Sequence, residues 1–176
     1  MKETLKRYSY ADDKTIIERI KNCNGTDEIE NKDIINSIVL WKINRQVDIG
    51  LELFCKIKKL DINFANLKDR ESEIKNTILE LLQVKGVRIA MASTILKMFY
   101  PNVFPIVDQR AYRELVGSEF PKYYGLQANE RYTEMYYEYV FKCHDYNAQI
   151  CPEIKFEDID KLLYQLDLEK GYKINY

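Results

Sequence analysis

The chain has 176 residues, 46% apolar and 31% charged, and its charges nearly cancel to −1. That is enough apolar material for one domain, or two small lobes sharing a cleft, and the charge balance speaks against a protein that coats nucleic acid indiscriminately. Six Gly and four Pro are too little punctuation for an all-β fold.

No run approaches the roughly 18 uninterrupted apolar residues of a membrane span. The opening MKETLKRYSYADDK lacks the apolar stretch of a secretory signal, so the expectation is a cytoplasmic protein with no membrane partner. The four cysteines (Cys23, Cys55, Cys143, Cys151) are scattered without a CxxC pair, which predicts reduced thiols. His144 is the single histidine, so no His-based metal site is expected.

In chain order, a first helix is predicted over about 12–23, with Ile16, Ile17 and Ile20 on one face and Asn24-Gly25 as its stop. Asn31 is the expected cap of a second helix carrying Ile34, Ile35, Ile38 and Trp41 at helical spacing. A third, about 48–60, carries Leu51, Phe54 and Ile57, and the loop DINFANLKD follows. Asp69 is the expected cap of the next helix, whose apolar stripe is Ile74, Ile78, Leu81 and Leu82. The chain turns through VKGVR and resumes with Ala92, Ile95, Leu96 and Phe99. Tyr100-Pro101 ends that helix, because Pro lacks the amide and clashes with the preceding turn. PNVFPIV reads as extended, and Asp108 stands where a helix from Gln109 to Val116 should begin, with Gly117 ending it. Two more helices are predicted, about 129–145 with Tyr132, Tyr136 and Tyr139, and about 157–169 with Ile159, Leu162, Leu163 and Leu166. Every strong period is near 3.6 residues, so the fold class is all-α, read as a single domain over 1–176.

Two helices (about 70–100) joined by a short turn at Gly86 read as a helix-hairpin-helix, followed by an Asp-bearing loop and helix over about 101–116. A tight turn feeding a helix leaves outward-pointing amides at a partial positive charge, which suits a phosphate. Between Val84 and Arg113, the basic residues Lys85, Arg88, Lys97, Arg110 and Arg113 face only one carboxylate, Asp108. A solvated αα-hairpin is the plain alternative. Trp41, the tyrosines of the 132–139 stripe and His144 read as packing residues before they read as base-stacking or acid–base groups.

The stretch LLQVKGVRIAMASTIL followed by FPIVDQRAYREL resembles the helix-hairpin-helix DNA glycosylase superfamily, which includes endonuclease III and the alkylpurine and 8-oxoguanine glycosylases. Those proteins carry a hairpin of the LPGVGxxTA type and, after a loop, an aspartate opening the next helix, as in VDTH. Val84-Lys85-Gly86-Val87-Arg88 falls on the hairpin, Ala92 on its alanine, and Val107-Asp108-Gln109-Arg110 on the aspartate motif. The match covers roughly 74–115, and the fragment WKINR (41–45) is similar to an element in an uncharacterised bacterial branch.

The resemblance implies double-stranded DNA as partner. Lys85, Gly86, Val87, Arg88 and Arg110 would sit at the backbone, and Asp108 would be the catalytic carboxylate facing the sugar of a flipped nucleotide. The helix N-terminus would tend to hold that carboxylate ionised. A monovalent cation bridged by hairpin carbonyls is implied as well. Three departures matter: Lys85 replaces the hairpin proline, Arg88 its second glycine, and Ala90 the lysine nucleophile of bifunctional members. The implied activity is therefore monofunctional hydrolysis of an N-glycosidic bond in base-excision repair. The four-cysteine loop of some relatives is missing, so no iron–sulfur cluster is expected. Lys97 could be a displaced nucleophile, though solvent or phosphate contact suits it better. Two alternatives remain open at this point: an inactive module that binds damaged or distorted DNA, and a helical protein-interaction domain.

Overall fold

The computed structural model describes residues 14–42 and 47–173; the N-terminal segment read for a signal, and Ile43 to Arg45 of the WKINR fragment, lie outside them. Among the described residues every regular element is helical and none is a strand. The helices are α1 (Lys14–Asn22), α2 (Glu28–Lys42), α3 (Leu51–Lys58), α4 (Glu71–Gln83), α5 (Ile89–Phe99), α6 (Gln109–Val116), α7 (Ala128–Ile150) and α8 (Ile159–Glu169). Short 3₁₀ turns stand at Phe64–Asn66 and Phe156–Asp158. No helix among these residues is long and apolar enough to cross a membrane. The chain divides into two compact units, Met1–Asp48 and Ile49–Tyr176.

In the first unit the cap of α2 is Asp27, not Asn31: its Oδ1 accepts from the N–H groups of Ile29 and Glu30. Both are cap-forming residues, so composition could not choose between them. Asn31 sits inside the helix and donates to the Gly25 carbonyl, tying the connection to the helix. Ile16 and Ile34 are buried, whereas Ile17, Ile20 and Ile35 are exposed. Trp41 is half-buried on the last turn of α2.

In the second unit α7 is the spine and touches α4, α5, α6 and α8. It buries Met135, Tyr136, Tyr137, Tyr139, Val140 and Cys143 on one wide face. The predicted stripe of α4 is the matching surface, with Ile74, Ile78, Leu81 and Leu82 all buried. Burying each such side chain stabilises the fold by about 1.5–3 kcal/mol. Tyr136 and Tyr139 are core residues, as the spacing suggested, while Tyr132 lies nearer the surface. Asp69 does not cap α4; a turn runs from the 3₁₀ helix straight into it, and Arg70 takes the cap position without a side-chain bond.

His144 stacks between Phe64 (3.8 Å) and Phe156 (3.6 Å) and its Nε2–H donates to the Val103 carbonyl at 3.0 Å. Burial holds the imidazole at about 4, below its usual 6.5, so it is neutral at physiological pH. Helix α6 is bound to α8 by Asp167, whose fully buried carboxylate accepts from Arg110 (2.9 Å) and twice from Arg113 (2.8 and 2.9 Å). The Arg113 guanidinium, with Arg110 adding, holds that carboxylate below the usual range.

Candidate functional site

The hairpin forms where it was expected. α4 ends at Gln83, the Val87 N–H closes a turn on the Val84 carbonyl (3.1 Å), and Gly86 takes φ +88° at its third position. That positive φ is the conformation a type II turn requires there, and it costs an L side chain about 1–2 kcal/mol. Val87 is buried and anchors the bend, while Lys85, Gly86 and Arg88 are exposed. Arg88 occupies the cap position of α5 but makes no side-chain cap bond. The first-turn amides of α5 therefore keep the unsatisfied donors typical of a helix start.

The basic focus read along the chain is smaller in space. Lys97 is buried in an ion pair with Asp160, so it is neither a phosphate contact nor a free amine. Arg110, expected at the DNA backbone, is committed to Asp167 and to the Tyr172 carbonyl, and Arg113 is committed to Asp167. Among the described residues, Lys85 and Arg88 are the members of that focus that no ion pair holds. Each of the other three has a carboxylate partner on α8, more than fifty positions downstream, and Arg113 adds Glu119 six positions on.

Asp108 opens α6 as expected. Its backbone is extended (φ −130°, ψ 177°) and its Oδ1 accepts the Ala111 N–H at 2.8 Å. Gly117, in the left-handed region, closes the helix. The segment leading into Asp108 is held from four sides. Val103 O accepts from His144, Pro105 O from the Tyr136 hydroxyl (2.8 Å), the Ile106 N–H donates to Asp160 Oδ2 (2.7 Å), and the Val107 N–H to Ser93 Oγ (3.1 Å). Tyr136, Asp160 and Ser93 are all buried.

Half-buried, Asp108 lines a groove of about 560 Å³, within the size range of small-molecule sites. Met98, Pro101 and Ile106 are among its apolar lining, and Tyr164 of α8 lines it as well. Burial raises the Asp108 carboxyl above its ordinary range, against the amides of Ala111 and Arg110, and the nearby Asp160 adds to the rise. The helix start was expected to keep it ionised; desolvation is the stronger influence. Ala90 is exposed at the second position of α5, with no amine in place of the bifunctional lysine. A larger cavity of about 700 Å³ lies along α6 and α7. Its lining sets Glu130, Glu134 and Glu138 against Arg131 and Lys142, a poor surface for a phosphate backbone.

The sequence reading missed Asp160, Ser93 and Tyr136 as groups that deliver Asp108. No local signal marks them, since each acts on residues 14 to 54 positions away. No protein-family model matches the chain, and no curated protein or solved structure is significantly similar to it.

Proposed function

We propose that the protein is a monofunctional, glycosylase-like hydrolase acting on a modified base in duplex DNA, with Asp108 as its carboxylate. The observation that carries the reading is Asp108 itself: a half-buried acid at a helix start, lining a groove of about 560 Å³. The resemblance of the 74–115 stretch gives this arrangement its chemistry. Lys85, Gly86, Val87 and Arg88 would receive a phosphate at the exposed start of α5. Arg110 is left out of that role, because its guanidinium is held by Asp167. A monovalent cation, as the resemblance implies, would be held by the backbone of the 84–88 bend and would supply positive charge beside a phosphate.

Cleavage passes through an oxocarbenium-like cation, which a nearby carboxylate stabilises electrostatically. Water bonds to the anomeric carbon as the base departs with the electrons of the glycosidic bond, and Asp108 accepts the water's proton. A carboxylate raised by burial is a better base for that step than a solvated one.

The second reading, an inactive module for distorted DNA, draws on Ala111: Asp108 is already used as a helix cap, which needs no catalysis. A panel of lesion-bearing duplexes, treated with hot alkali to reveal abasic sites, separates the two. Product is expected on one lesion class, lost by about a hundredfold or more in Asp108→Asn, which keeps the cap. Borohydride should trap no adduct. Unchanged turnover by Asp108→Asn would refute the assignment, and salt-sensitive binding without product on any lesion would favour the second reading.

A further inference from the structure

We propose that Asp160, with Lys97 as its counter-ion, is a positioning residue that holds the Asp108 segment and governs the charge facing Asp108 in the groove. The proposal rests on the reading of Asp108 as the reactive carboxylate, but its geometry stands without any substrate.

Asp160 lies in the first turn of α8 and Lys97 in the last turns of α5, and both are buried. Both of its oxygens accept from the Lys97 ammonium. Oδ2 also takes the Ile106 N–H at 2.7 Å, and Oδ1 the Lys161 N–H at 2.8 Å. One carboxylate thus joins α5, the start of α8 and a backbone amide two residues ahead of Asp108. A pair that merely glued two helices would lie wholly among apolar side chains, and such pairs are often replaceable by them. Here both members line the groove that Asp108 lines.

The charged groups that line the groove with Asp108 come from several elements. Lys97 comes from α5, Asp160 and Lys161 from α8, and Glu157 and Asp158 from the preceding 3₁₀ turn. The Tyr139 hydroxyl approaches from α7, and Arg110, on Asp108's own helix, is tied to Asp167 but still acts to lower the Asp108 carboxyl, against Asp160. Of these, Asp160 and Lys97 are buried and opposite in sign, so their effects on Asp108 are the least screened and can be removed separately. Taking away the ammonium leaves the Asp160 repulsion uncompensated. Taking away the carboxylate removes it.

The test follows the Asp108 carboxyl by carbon-detected NMR titration of the full chain, with amide exchange at Ile106 and Val107 as a second readout. Lys97→Met should move the Asp108 titration upward in pH and Asp160→Asn should move it downward, with the Lys97→Met/Asp160→Asn double variant between them. Protection of the Ile106 amide should fall about tenfold in Asp160→Ala and be kept in Asp160→Asn, whose side-chain oxygen still accepts. The double variant buries no unpaired charge, so it keeps the test alive if a single variant does not fold. Titrations that move the same way in both single variants, or not at all, overturn the proposal, as does undiminished Ile106 protection in Asp160→Ala. Neither readout needs DNA. A negative lesion panel with these shifts present would therefore sink the base-excision reading and leave the positioning role standing.

Discussion

Two turns in this protein each launch a helix, and they are built on opposite principles. The 84–88 bend is closed by one backbone bond, anchored by one buried side chain, and leaves α5 without a side-chain cap. The 101–108 segment is gripped by His144, Tyr136, Asp160 and Ser93, and Asp108 caps α6 with its own carboxylate. The first leaves the opening donors of α5 without a side-chain cap. The second spends its polar groups internally and fixes the Asp108 side chain through its bond to the Ala111 N–H. Mutations should therefore separate them: changes behind the second turn cost stability, and changes on the first alter binding.

The largest expected effect is at Asp167, which locks the Asp108 helix to α8. Asp167→Ala leaves two guanidinium groups, each 13% exposed, facing an emptied buried site. Removing one partner of such a pair costs about 3–5 kcal/mol. Chemical denaturation should show a large fall in midpoint. A loss below about 1 kcal/mol, the value of an exposed pair, would mean that α6 is not held this way.

A smaller effect comes with pH. His144 binds the segment at Val103 as a neutral ring, with its titration lowered to about 4. Between that value and 6.5 the unfolded chain takes up more protons than the folded one, so stability rises with pH through this window. It is fully present above about 6.5 and lost as pH falls toward 4, by roughly 1–2 kcal/mol once the ring's partial exposure is allowed for. His144→Phe should flatten the profile in that window. A variant with the same slope as the parent would assign the loss to other groups.

How much of this was legible in the sequence follows the same division. The bend, the Asp108 cap and the Gly117 stop are local events, written in residues next to each other, and they stand where the sequence puts them. Caps preceded by a second cap-forming residue or by a turn differ from the expectation, because Asp27 starts its helix ahead of Asn31, and the turn before Arg70 already takes the Glu71 N–H that Asp69 would have capped. The charge excess failed for a different reason. Lys97 and Asp160 are 63 positions apart and Arg110 and Asp167 are 57 apart, and no period or spacing links them. Ion pairing across helices is a property of the packed chain.

The smallest effects on stability, and the sharpest use of the comparison, lie on the bend. Gly86→Ala forces an L side chain to φ +88° and should cost about 1–2 kcal/mol. Arg88→Ala removes an exposed side chain with no cap bond, so its stability should change by less than about 0.5 kcal/mol. Its signature would be electrostatic instead. Binding of a lesion-bearing duplex measured across a salt series should lose about 0.9 from the slope of log affinity against log salt if Arg88 neutralises one phosphate. Asp108→Asn should leave that slope alone, because it lies on the other turn. Were Arg88→Ala to leave the slope unchanged while Asp108→Asn altered it, the bend could not be the surface that meets the backbone, and the two turns would have to exchange roles.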